Sequence, residues 1–169
     1  MKKLYLKAIS SKLGQLRIIC DDDFIIRLMF DNDNLEAETS KLDKTFDGIT
    51  MCGENKLAND CALELDAYLA GKIQKFTVKP KFFGTVFENK VWQGLLSINY
   101  GSTITYSALA ADCGVHGARA VGSAVGRNPV PIIVACHRVI RADGGLGGFR
   151  GGIKNKQILL STEGIVLKQ

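Results

Sequence analysis

The chain has 169 residues, of which 46% are hydrophobic and 23% are charged, a composition typical of a globular protein with one large or two small domains. It has no apolar run long enough to cross a bilayer, and Lys7 interrupts the apolar stretch near its start, which argues against a membrane span and a secretory signal peptide. The net charge of +5 fits a polyanionic partner, but it equally fits a basic surface that only maintains solubility.

The spacing of the cysteines and histidines predicts no metal site. These residues are Cys20, Cys52, Cys61, Cys113, Cys136, His116 and His137. The number of cysteines is odd, and no two of them have the Cys-x-x-Cys spacing of a closed zinc site. We therefore expect no metal, no cofactor and no disulfide, and we expect the protein to work in the cytoplasm without a membrane partner. Four cysteines are interpreted as small buried apolar residues, whereas Cys136 is set apart by its context.

Three strands are predicted near the amino terminus. Residues 4–9, 13–20 and 24–30 are rich in alternating or clustered β-branched and aromatic side chains, with turn residues such as Gly14 between them. We expect these strands to form a small antiparallel sheet. The polar stretch from 31 to 53 shows no clear period and receives no assignment.

A helix is predicted next. The apolar side chains of residues 56–70 recur at helical spacing, and Gly71 is a suitable residue to end the helix. A short strand at 76–78 and a linker follow. We therefore expect an α/β domain over residues 1–80 and a second domain over residues 81–169.

The second half of the chain predicts a helix-turn-helix. Thr105 can cap a short helix over residues 106–112, and Cys113-Gly114 can make a turn before a second helix over 118–126. A helix, a tight glycine turn and another helix form the outline of this motif. We expect a mainly helical carboxy-terminal domain, and an α+β fold for the whole chain.

Three further elements follow the motif. The apolar run at 132–134 favours a strand that leads into Cys136, a glycine-rich loop occupies 144–152, and a last helix is predicted over 154–162. The loop has neither the Gly-Lys-Ser/Thr end of a Walker A motif nor the flanking features of a dinucleotide-binding turn. It is either a flexible surface loop or a loop whose backbone must approach a planar ligand.

The dipeptide Cys136-His137 is a candidate for nucleophilic chemistry. A thiol becomes a good nucleophile when it loses its proton, and an imidazole can assist that loss. Adjacent residues on a strand point to opposite faces, so His137 would need a turn or a bridging water to act on Cys136. A Cys-His dipeptide alone is weak evidence, but its place at the end of an apolar run strengthens it.

The predicted helix over 118–126 has almost only small side chains. A glycine in a helix interior costs about 1 kcal/mol relative to alanine, so Gly122 suggests that another group approaches closely. One explanation is tight helix packing. The other is a helix that lies against DNA, with Arg119 as its long basic side chain.

The segment Ala135-Cys136-His137-Arg138-Val139 resembles the active-site signature Pro-Cys-His-Arg-Val. This signature belongs to the O6-alkylguanine-DNA alkyltransferases, which are also called methylated-DNA–protein-cysteine methyltransferases. Other segments that resemble this family occur in the family's order, at 84–92, 106–110, 118–122, 147–149 and 159–164. The resemblance covers about residues 56–167. It implies DNA repair by stoichiometric transfer of an alkyl group from O6-alkylguanine, with O4-alkylthymine as a further candidate lesion.

The resemblance assigns catalytic roles to five residues. Cys136 would accept the alkyl group, His137 would draw the thiol proton through a water, and Glu163 would orient the imidazole. Tyr106 would give a proton to the guanine as it leaves. Lys156 would help to stabilise the leaving group.

The resemblance also implies a DNA-binding face and a base pocket. Arg119 would enter the base stack where the damaged nucleotide has rotated out. The neighbouring residues expected to contact DNA are Ala118, Ala120, Gly122 and Ser123. The residues expected around the guanine are Asn128, which would also hold the turn before Cys136, Val139, Phe149 and Arg150. The expected partner is double-stranded DNA that contains O6-alkylguanine, and the expected state is a monomer.

Three positions depart from the family pattern. Ala135 and Asn99 stand where the family usually has proline, and Phe149 stands where tyrosine is frequent. The change at Ala135 bears on function because it could loosen the approach to Cys136, while none of the three removes a chemically essential group.

Three alternative functions fit the sequence less well. A relative that binds lesions without repairing them would lack the acceptor cysteine, whereas this chain has Cys136. A plain helix-turn-helix regulator would not explain Cys136-His137 together with Glu163, and a thiol hydrolase lacks support from an asparagine or aspartate motif.

Overall fold

A computed structural model describes residues 1–167. The chain forms two compact units, the first over Met1–Phe83 and the second beginning at Gly84, and each is described here by itself. The predicted α+β class is confirmed. No helix among the described residues has the length and apolar character needed to span a membrane.

The first unit is built on a four-stranded sheet, and its strands are β1 (Lys2–Ser11), β2 (Gly14–Cys20), β3 (Ile25–Met29) and β4 (Ile49–Cys52). Their order in the sheet is β3-β2-β1-β4. The first three are antiparallel, but β4 pairs with β1 in parallel. The antiparallel arrangement predicted for the first three strands is confirmed, whereas β4 lies in the stretch without an assignment and was not predicted. It is parallel to β1 because the intervening helix carries the chain back across the sheet before β4 begins.

Two helices complete the first unit, α1 (Leu35–Phe46) and α2 (Lys56–Leu69). The helix α2 confirms the prediction over 56–70. The helix α1 lies within residues 31–53, the polar stretch for which the sequence predicted no element. The Asn34 side chain caps this helix, and Leu42 is its buried residue. Leu42 packs into the core that the sheet provides, so this helix depends on tertiary packing more than on its own period.

The strand predicted at 76–78 is wrong. This segment runs outside the strands, and its backbone groups are satisfied by a side chain in place of a neighbouring strand. The carboxylate of Glu64 accepts hydrogen bonds from the backbone N–H of Thr77 at 3.0 and 3.1 Å and from that of Val78 at 3.3 Å.

The second unit is mainly helical. Its helices are α3 (Val86–Leu96), α4 (Tyr106–Cys113), α5 (Ala118–Gly126) and α6 (Ile153–Thr162). Two short strands, β5 (Ile104–Thr105) and β6 (Val139–Ile140), pair in parallel.

The helices α4 and α5 form the predicted helix-turn-helix. The Thr105 side chain caps α4, and Gly114 ends it in the left-handed conformation that favours glycine. The indole N–H of Trp92 on α3 donates to the carbonyl of Ala124 on α5 at 2.8 Å, which fixes the second helix of the motif against α3.

The strand predicted at 132–134 is also wrong. The N–H of Ile133 donates to the Pro131 carbonyl at 2.9 Å, and the N–H of Cys136 donates to the Val134 carbonyl at 2.8 Å. These bonds close two three-residue turns, and Ile132 at the centre of the first has φ of +75°, which is strained for a β-branched residue. A 3-10 helix then spans Cys136–Arg138, so Cys136 and His137 are not held on opposite faces of a strand.

Candidate active site

A cavity of about 230 Å³ opens beside Cys136 in the second unit. Residues from α4, α5, the turn after α5 and the glycine-rich loop line it: Tyr106, Gly122, Val125, Gly126, Asn128, Pro131, Cys136, Gly148, Phe149 and Arg150. Its volume is several times the roughly 30 Å³ that a water molecule occupies in the liquid, and its walls are mostly apolar. It can therefore receive a small ligand group.

Cys136 is the nucleophile available to this cavity. Only 7% of the residue is exposed. Burial raises the pKa of its thiol, while a hydrogen bond with the Asn128 side chain and the charges of Arg150 and Lys156 oppose that rise. The sulfur therefore rests as a protonated thiol, and a base must remove its proton before it can act as a nucleophile.

His137 follows Cys136 in the 3-10 helix, and its ring is held by Glu163. Its Nε2 atom lies 2.6 Å from Oε2 of Glu163, and both side chains are fully buried. An ionised carboxylate only accepts hydrogen bonds, so Nε2 donates and the neutral ring keeps its lone pair on Nδ1. Burial lowers the pKa of His137, and the Glu163 contact opposes that shift, so the imidazole is neutral and can take a proton.

Glu163 follows α6 and is held by more than His137. Its carboxylate accepts from the backbone N–H of Gly101 at 3.0 Å, and it accepts from Nε and Nη2 of Arg138 at 2.8 and 3.0 Å. The two-point contact with Arg138 fixes the plane of the carboxylate and balances its charge. These contacts hold the carboxylate of Glu163 in one orientation.

Arg138 belongs to the same buried network, and no role was predicted for it from the sequence. Besides Glu163, its guanidinium donates to the Ile98 carbonyl at 2.6 Å and lies 5.7 Å from the centre of the Tyr100 ring. It is almost fully buried, and its charge favours a lower pKa for His137. The signal available in the sequence was an arginine directly after Cys136-His137 in a segment expected to be buried.

Tyr106 forms one wall of the cavity. A Cβ atom at Gly122 would lie 3.6 Å from its ring, and one at Gly147 would come within 2.8 Å of its hydroxyl oxygen. Glycine at 147, with φ of +72°, is thus required for the loop to approach the tyrosine. Burial raises the pKa of Tyr106, which keeps its hydroxyl protonated and able to donate.

Asn128 ties the end of the helix-turn-helix to Cys136. Its amide nitrogen donates to the Val134 carbonyl at 2.8 Å, and its amide oxygen accepts from the Val130 N–H at 3.0 Å. The Asn128 carbonyl accepts from Nη1 of Arg150 at 3.0 Å. One buried asparagine therefore holds both turns before the cysteine and one side of the glycine-rich loop.

Lys156 and Val139 do not line the cavity. The family resemblance implies that Lys156 stabilises the leaving group and that Val139 lies in the base pocket. Lys156 is fully buried and its ammonium group donates to the carbonyls of Val139, Leu146 and Gly148. Burial lowers the pKa of Lys156 to about 8, and the nearby Cys136 opposes that shift. The hydrogen bonds of Lys156 hold the glycine-rich loop against β6.

The outer face of α5 is exposed where the sequence predicts a DNA contact. Ala118, Arg119 and Ala120 are exposed, and Gly122 on the same helix lines the cavity. Ser123 is exposed too, and its hydroxyl accepts a hydrogen bond of 2.5 Å from Arg127. A surface of small side chains and one long basic side chain thus continues into the cavity beside Cys136.

The two units differ in charge. Residues 1–83 contain thirteen basic and thirteen acidic side chains, whereas residues 84–169 contain nine basic and four acidic ones. The whole net charge of +5 therefore belongs to the second unit, the one that contains α5 and the cavity. Among residues 1–167, no group of three or more His, Cys, Asp or Glu residues is placed to hold a metal ion.

Two family models match the chain. The DNA-binding domain of 6-O-methylguanine DNA methyltransferase matches residues 86–165, and the ribonuclease-like domain of the same family matches residues 4–81. Together they account for nearly all of the sequence.

Methylated-DNA–protein-cysteine methyltransferases of other organisms are similar to the chain over much of its length. The methylated-DNA–protein-cysteine methyltransferase of Mycobacterium leprae is 47% identical over 111 residues, which is 65% of this chain and 67% of that protein. The inducible enzyme of that name from Bacillus subtilis is 44% identical over 121 residues, 71% of this chain and 68% of that protein.

Solved structures are similar to both units. The O6-methylguanine methyltransferase of Mycobacterium tuberculosis has a TM-score of 0.81 at 35% identity, over 95% of this chain and 92% of that one. The Mycobacterium tuberculosis protein in complex with DNA also has a TM-score of 0.81, at 34% identity and with the same coverage of both chains. The O6-methylguanine-DNA methyltransferase of Pyrococcus kodakaraensis has a TM-score of 0.70 at 29% identity, over 96% of this chain and 99% of that one.

Proposed function

The chain belongs to the family of 6-O-methylguanine DNA methyltransferases, and we propose that Cys136 is the residue on which it receives an alkyl group from O6-alkylguanine. It is a DNA-repair enzyme of the alkyl-transfer type, and DNA is its partner. The observation that carries the assignment is the thiol of Cys136 in the lining of a cavity. The next residue, His137, is buried and is bound to the buried carboxylate of Glu163.

The position of the thiol requires the damaged base to leave the duplex. Cys136 lies in a cavity, and a base inside a double helix keeps its alkyl carbon away from any side chain. Rotating a nucleotide out costs a few kcal/mol, and less when the base is damaged and pairs poorly. We propose that Arg119 fills the space left in the stack and so offsets part of this cost.

The small side chains of α5 fit a close approach to DNA. A minor groove about 6 Å wide admits a helix only where its side chains are small. Ala118, Ala120, Gly122 and Ser123 meet that requirement, and α5 ends beside the cavity. The positive charge of the second unit favours the phosphate backbone of DNA in any sequence.

The proposed reaction begins with proton removal. His137 takes the thiol proton through a bridging water, and Glu163 stabilises the imidazolium that forms. The Cys136 sulfur then attacks the alkyl carbon, forming a sulfur–carbon bond as the bond from that carbon to O6 breaks. Tyr106 donates a proton to the guanine ring, so the base leaves neutral.

The product explains why the reaction occurs once per protein molecule. The alkyl group ends in a thioether, which is not readily displaced, and the cysteine that holds it is buried. We propose that each molecule repairs one lesion. We also propose that it acts as a monomer, because the cavity and the exposed face of α5 belong to a single unit of one chain.

Intact-mass measurement tests this function. After incubation with duplex DNA bearing one O6-methylguanine, the protein should gain the mass of one methyl group, and peptide mapping should place it on Cys136. The Cys136→Ser variant should gain nothing. A Cys113→Ser variant, which alters a partly exposed thiol elsewhere in the same unit, should accept the methyl group as the natural protein does. No gain of mass by the natural protein would overturn the proposal.

A further inference from the structure

An exposed arginine lies at the end of the helix that is proposed to contact DNA. Arg127 directly follows the last residue of α5, and its side chain is 54% exposed. Arg119, Ser123 and Arg127 follow one another at intervals of four residues, which places them on one face of a helix. All three are exposed. The two long basic side chains therefore stand near the two ends of α5, and its small side chains lie between them.

Two contacts fix the position of the Arg127 guanidinium. Its Nη1 atom donates to the Ser123 hydroxyl at 2.5 Å, and its Nε atom donates to Oε1 of Glu88 at 2.7 Å. Ser123 is one of the residues expected to contact DNA, so the guanidinium lies directly beside the proposed DNA surface. These bonds use two of the five N–H donors of an arginine, and the others can bind an oxygen atom from outside the protein.

Glu88 holds this arginine from the neighbouring helix. It lies in the first turn of α3, where its Oε2 atom accepts from the backbone N–H of Thr85 at 2.9 Å as part of a capping box. The contact with Thr85 and the charge of Arg127 lower the pKa of Glu88, so the carboxylate is ionised at neutral pH. Its side chain is only 16% exposed. The fold therefore fixes the acid, which orients the arginine and leaves much of the guanidinium accessible.

We propose that Arg127 is a second arginine of the DNA-binding face, that it donates to a backbone phosphate, and that Glu88 orients it and weakens this contact. The proposal rests on the proposed placement of α5 against DNA and extends that surface to the end of the helix. A guanidinium and a phosphate form strong, charge-assisted hydrogen bonds. The carboxylate of Glu88 repels a phosphate that approaches the same guanidinium, so it lowers the affinity for DNA. Because every nucleotide has a phosphate, the contact strengthens binding to any sequence and does not select the lesion.

A purely structural bond between α5 and α3 predicts a different result from a phosphate contact. A structural bond is broken equally from either side, so replacing Arg127 or Glu88 should change DNA binding in the same direction. A phosphate contact is lost with the arginine but is strengthened when the acid is removed. The two replacements should then change DNA binding in opposite directions.

The test measures the affinity of the natural protein, Arg127→Gln and Glu88→Gln for a lesion-free duplex oligonucleotide by fluorescence anisotropy at several salt concentrations. Lesion-free DNA is used because it has no alkyl group to transfer, so binding is measured without reaction. A glutamine at position 88 can still accept from the backbone N–H of Thr85, so Glu88→Gln removes the charge and keeps the helix cap. Urea unfolding of each variant shows whether the fold is retained.

The slope of log affinity against log salt concentration should be shallower by about one in Arg127→Gln, as expected for one lost phosphate contact. Between about 50 mM and about 200 mM salt, the fold-loss of affinity should therefore be about three to four times smaller in this variant than in the natural protein. In Glu88→Gln the affinity at low salt should rise about threefold. Arg127→Lys keeps the charge and should keep most of the slope.

Two control variants in the same unit account for the general effect of charge on DNA binding. Lys90 on α3 and Asp112 on α4 are exposed and line a cleft whose lining includes neither Arg127 nor Glu88. Lys90→Gln removes the same charge as Arg127→Gln, and Asp112→Asn removes the same charge as Glu88→Gln. Each control should change the affinity and the slope much less than its matched test variant.

Three results would each overturn the proposal. The first is a slope in Arg127→Gln equal to that of the natural protein. The second is an affinity in Glu88→Gln that falls or stays the same, which would assign the pair to the packing of α5 against α3 and decides the question even if Arg127→Gln does not fold. The third is an effect of the control variants as large as that of the test variants. Failure of the natural protein to accept a methyl group would instead overturn the proposed function, and it is observed in a separate measurement.

Discussion

The two units bury polar groups very differently. Among the described residues, the first unit buries one charged side chain, Asp21, whereas the second buries the set Asn128, His137, Arg138, Lys156 and Glu163. Asp21 meets ordinary partners, since it accepts from two backbone N–H groups and from Lys2. Burying a charged group costs free energy, and even a paired buried charge often stabilises a fold less than apolar side chains of the same volume would. The second unit is therefore less stable than it would be with an apolar core at these positions. The buried polar side chains of the second unit include residues of the proposed active site, and those of the first unit do not.

Replacing Glu163 gives the sharpest contrast between the units. In Glu163→Gln the buried Arg138 keeps its charge but loses its anion, and His137 loses the group that orients it. The free energy of unfolding should fall by about 3–5 kcal/mol, and alkyl transfer should slow by about a hundredfold. Urea unfolding and a methyl-transfer time course measure the two effects.

The matched change in the first unit is Glu38→Gln. Glu38 also contacts an arginine, Arg27, at 3.1 Å, but its side chain is partly exposed. Its loss should cost no more than about 1 kcal/mol and leave alkyl transfer unchanged. Similar losses in the two variants would show that the buried carboxylate is no more important than a surface one.

The role of Arg138 can be tested through the pH dependence of the reaction. Its positive charge favours a lower pKa for His137, so Arg138→Gln should raise that pKa. A base acts only when it is unprotonated, so the rise of rate with pH should move to higher pH, and the rate at neutral pH should fall about tenfold. A rate–pH profile for methyl transfer measures both effects.

Arg138→Lys separates charge from geometry. Lysine restores the positive charge but cannot make the two-point contact with Glu163, so the profile should return toward that of the natural protein while the maximal rate stays lower. A profile that does not move in Arg138→Gln would contradict an electrostatic role and leave Arg138 as a packing residue only.

These residues also show what the sequence could and could not predict. The helices α2, α4 and α5 were predicted because apolar spacing and the Thr105 cap are local signals. The helix α1 was missed because Leu42 is its buried residue, which leaves little periodic pattern. Arg138 was missed because its partner Glu163 is 25 positions away and the pairing depends on the fold.

The segment before Cys136 was misread for a different reason. Its β-branched residues favour a strand, yet Asn128 bonds to the Val134 carbonyl and the Val130 N–H and so bends the backbone into turns. A side chain six positions earlier overrides the local preference. Ile132, with φ of +75°, carries the resulting strain. Asp47, a non-glycine residue of the first unit with positive φ, only ends α1 in a conformation that aspartate tolerates.

A further effect, limited to duplex DNA, should distinguish the positively charged second unit from the first unit, whose net charge is zero. Arg119 is exposed on α5, and we expect Arg119→Ala to slow repair in duplex DNA about tenfold, because the cost of rotating the base out is no longer offset. Reaction with free O6-benzylguanine, which needs no rotation, should change much less. The two rates are compared for the same protein preparation.

The control for Arg119 lies on α2 of the first unit. Lys56 is exposed and pairs with Asp60, so Lys56→Ala removes the same charge from a surface without a proposed DNA contact. It should leave both rates unchanged. Equal losses on duplex and free base in Arg119→Ala would remove the role of Arg119 in base rotation.

The smallest effect concerns Ala135, where the family usually has proline. Ala135 has φ of −81° and ψ of 61°, close to the φ that a proline ring imposes, and it centres the second three-residue turn before Cys136. Ala135→Pro should therefore raise the free energy of unfolding by about 0.4–1 kcal/mol, and the rate of methyl transfer should stay within about twofold. Ala135→Gly should shift stability in the opposite direction. A loss of stability in the proline variant would mean that Val134 cannot adopt the extended backbone that a following proline requires, and that the alanine is needed to complete the turn that presents Cys136.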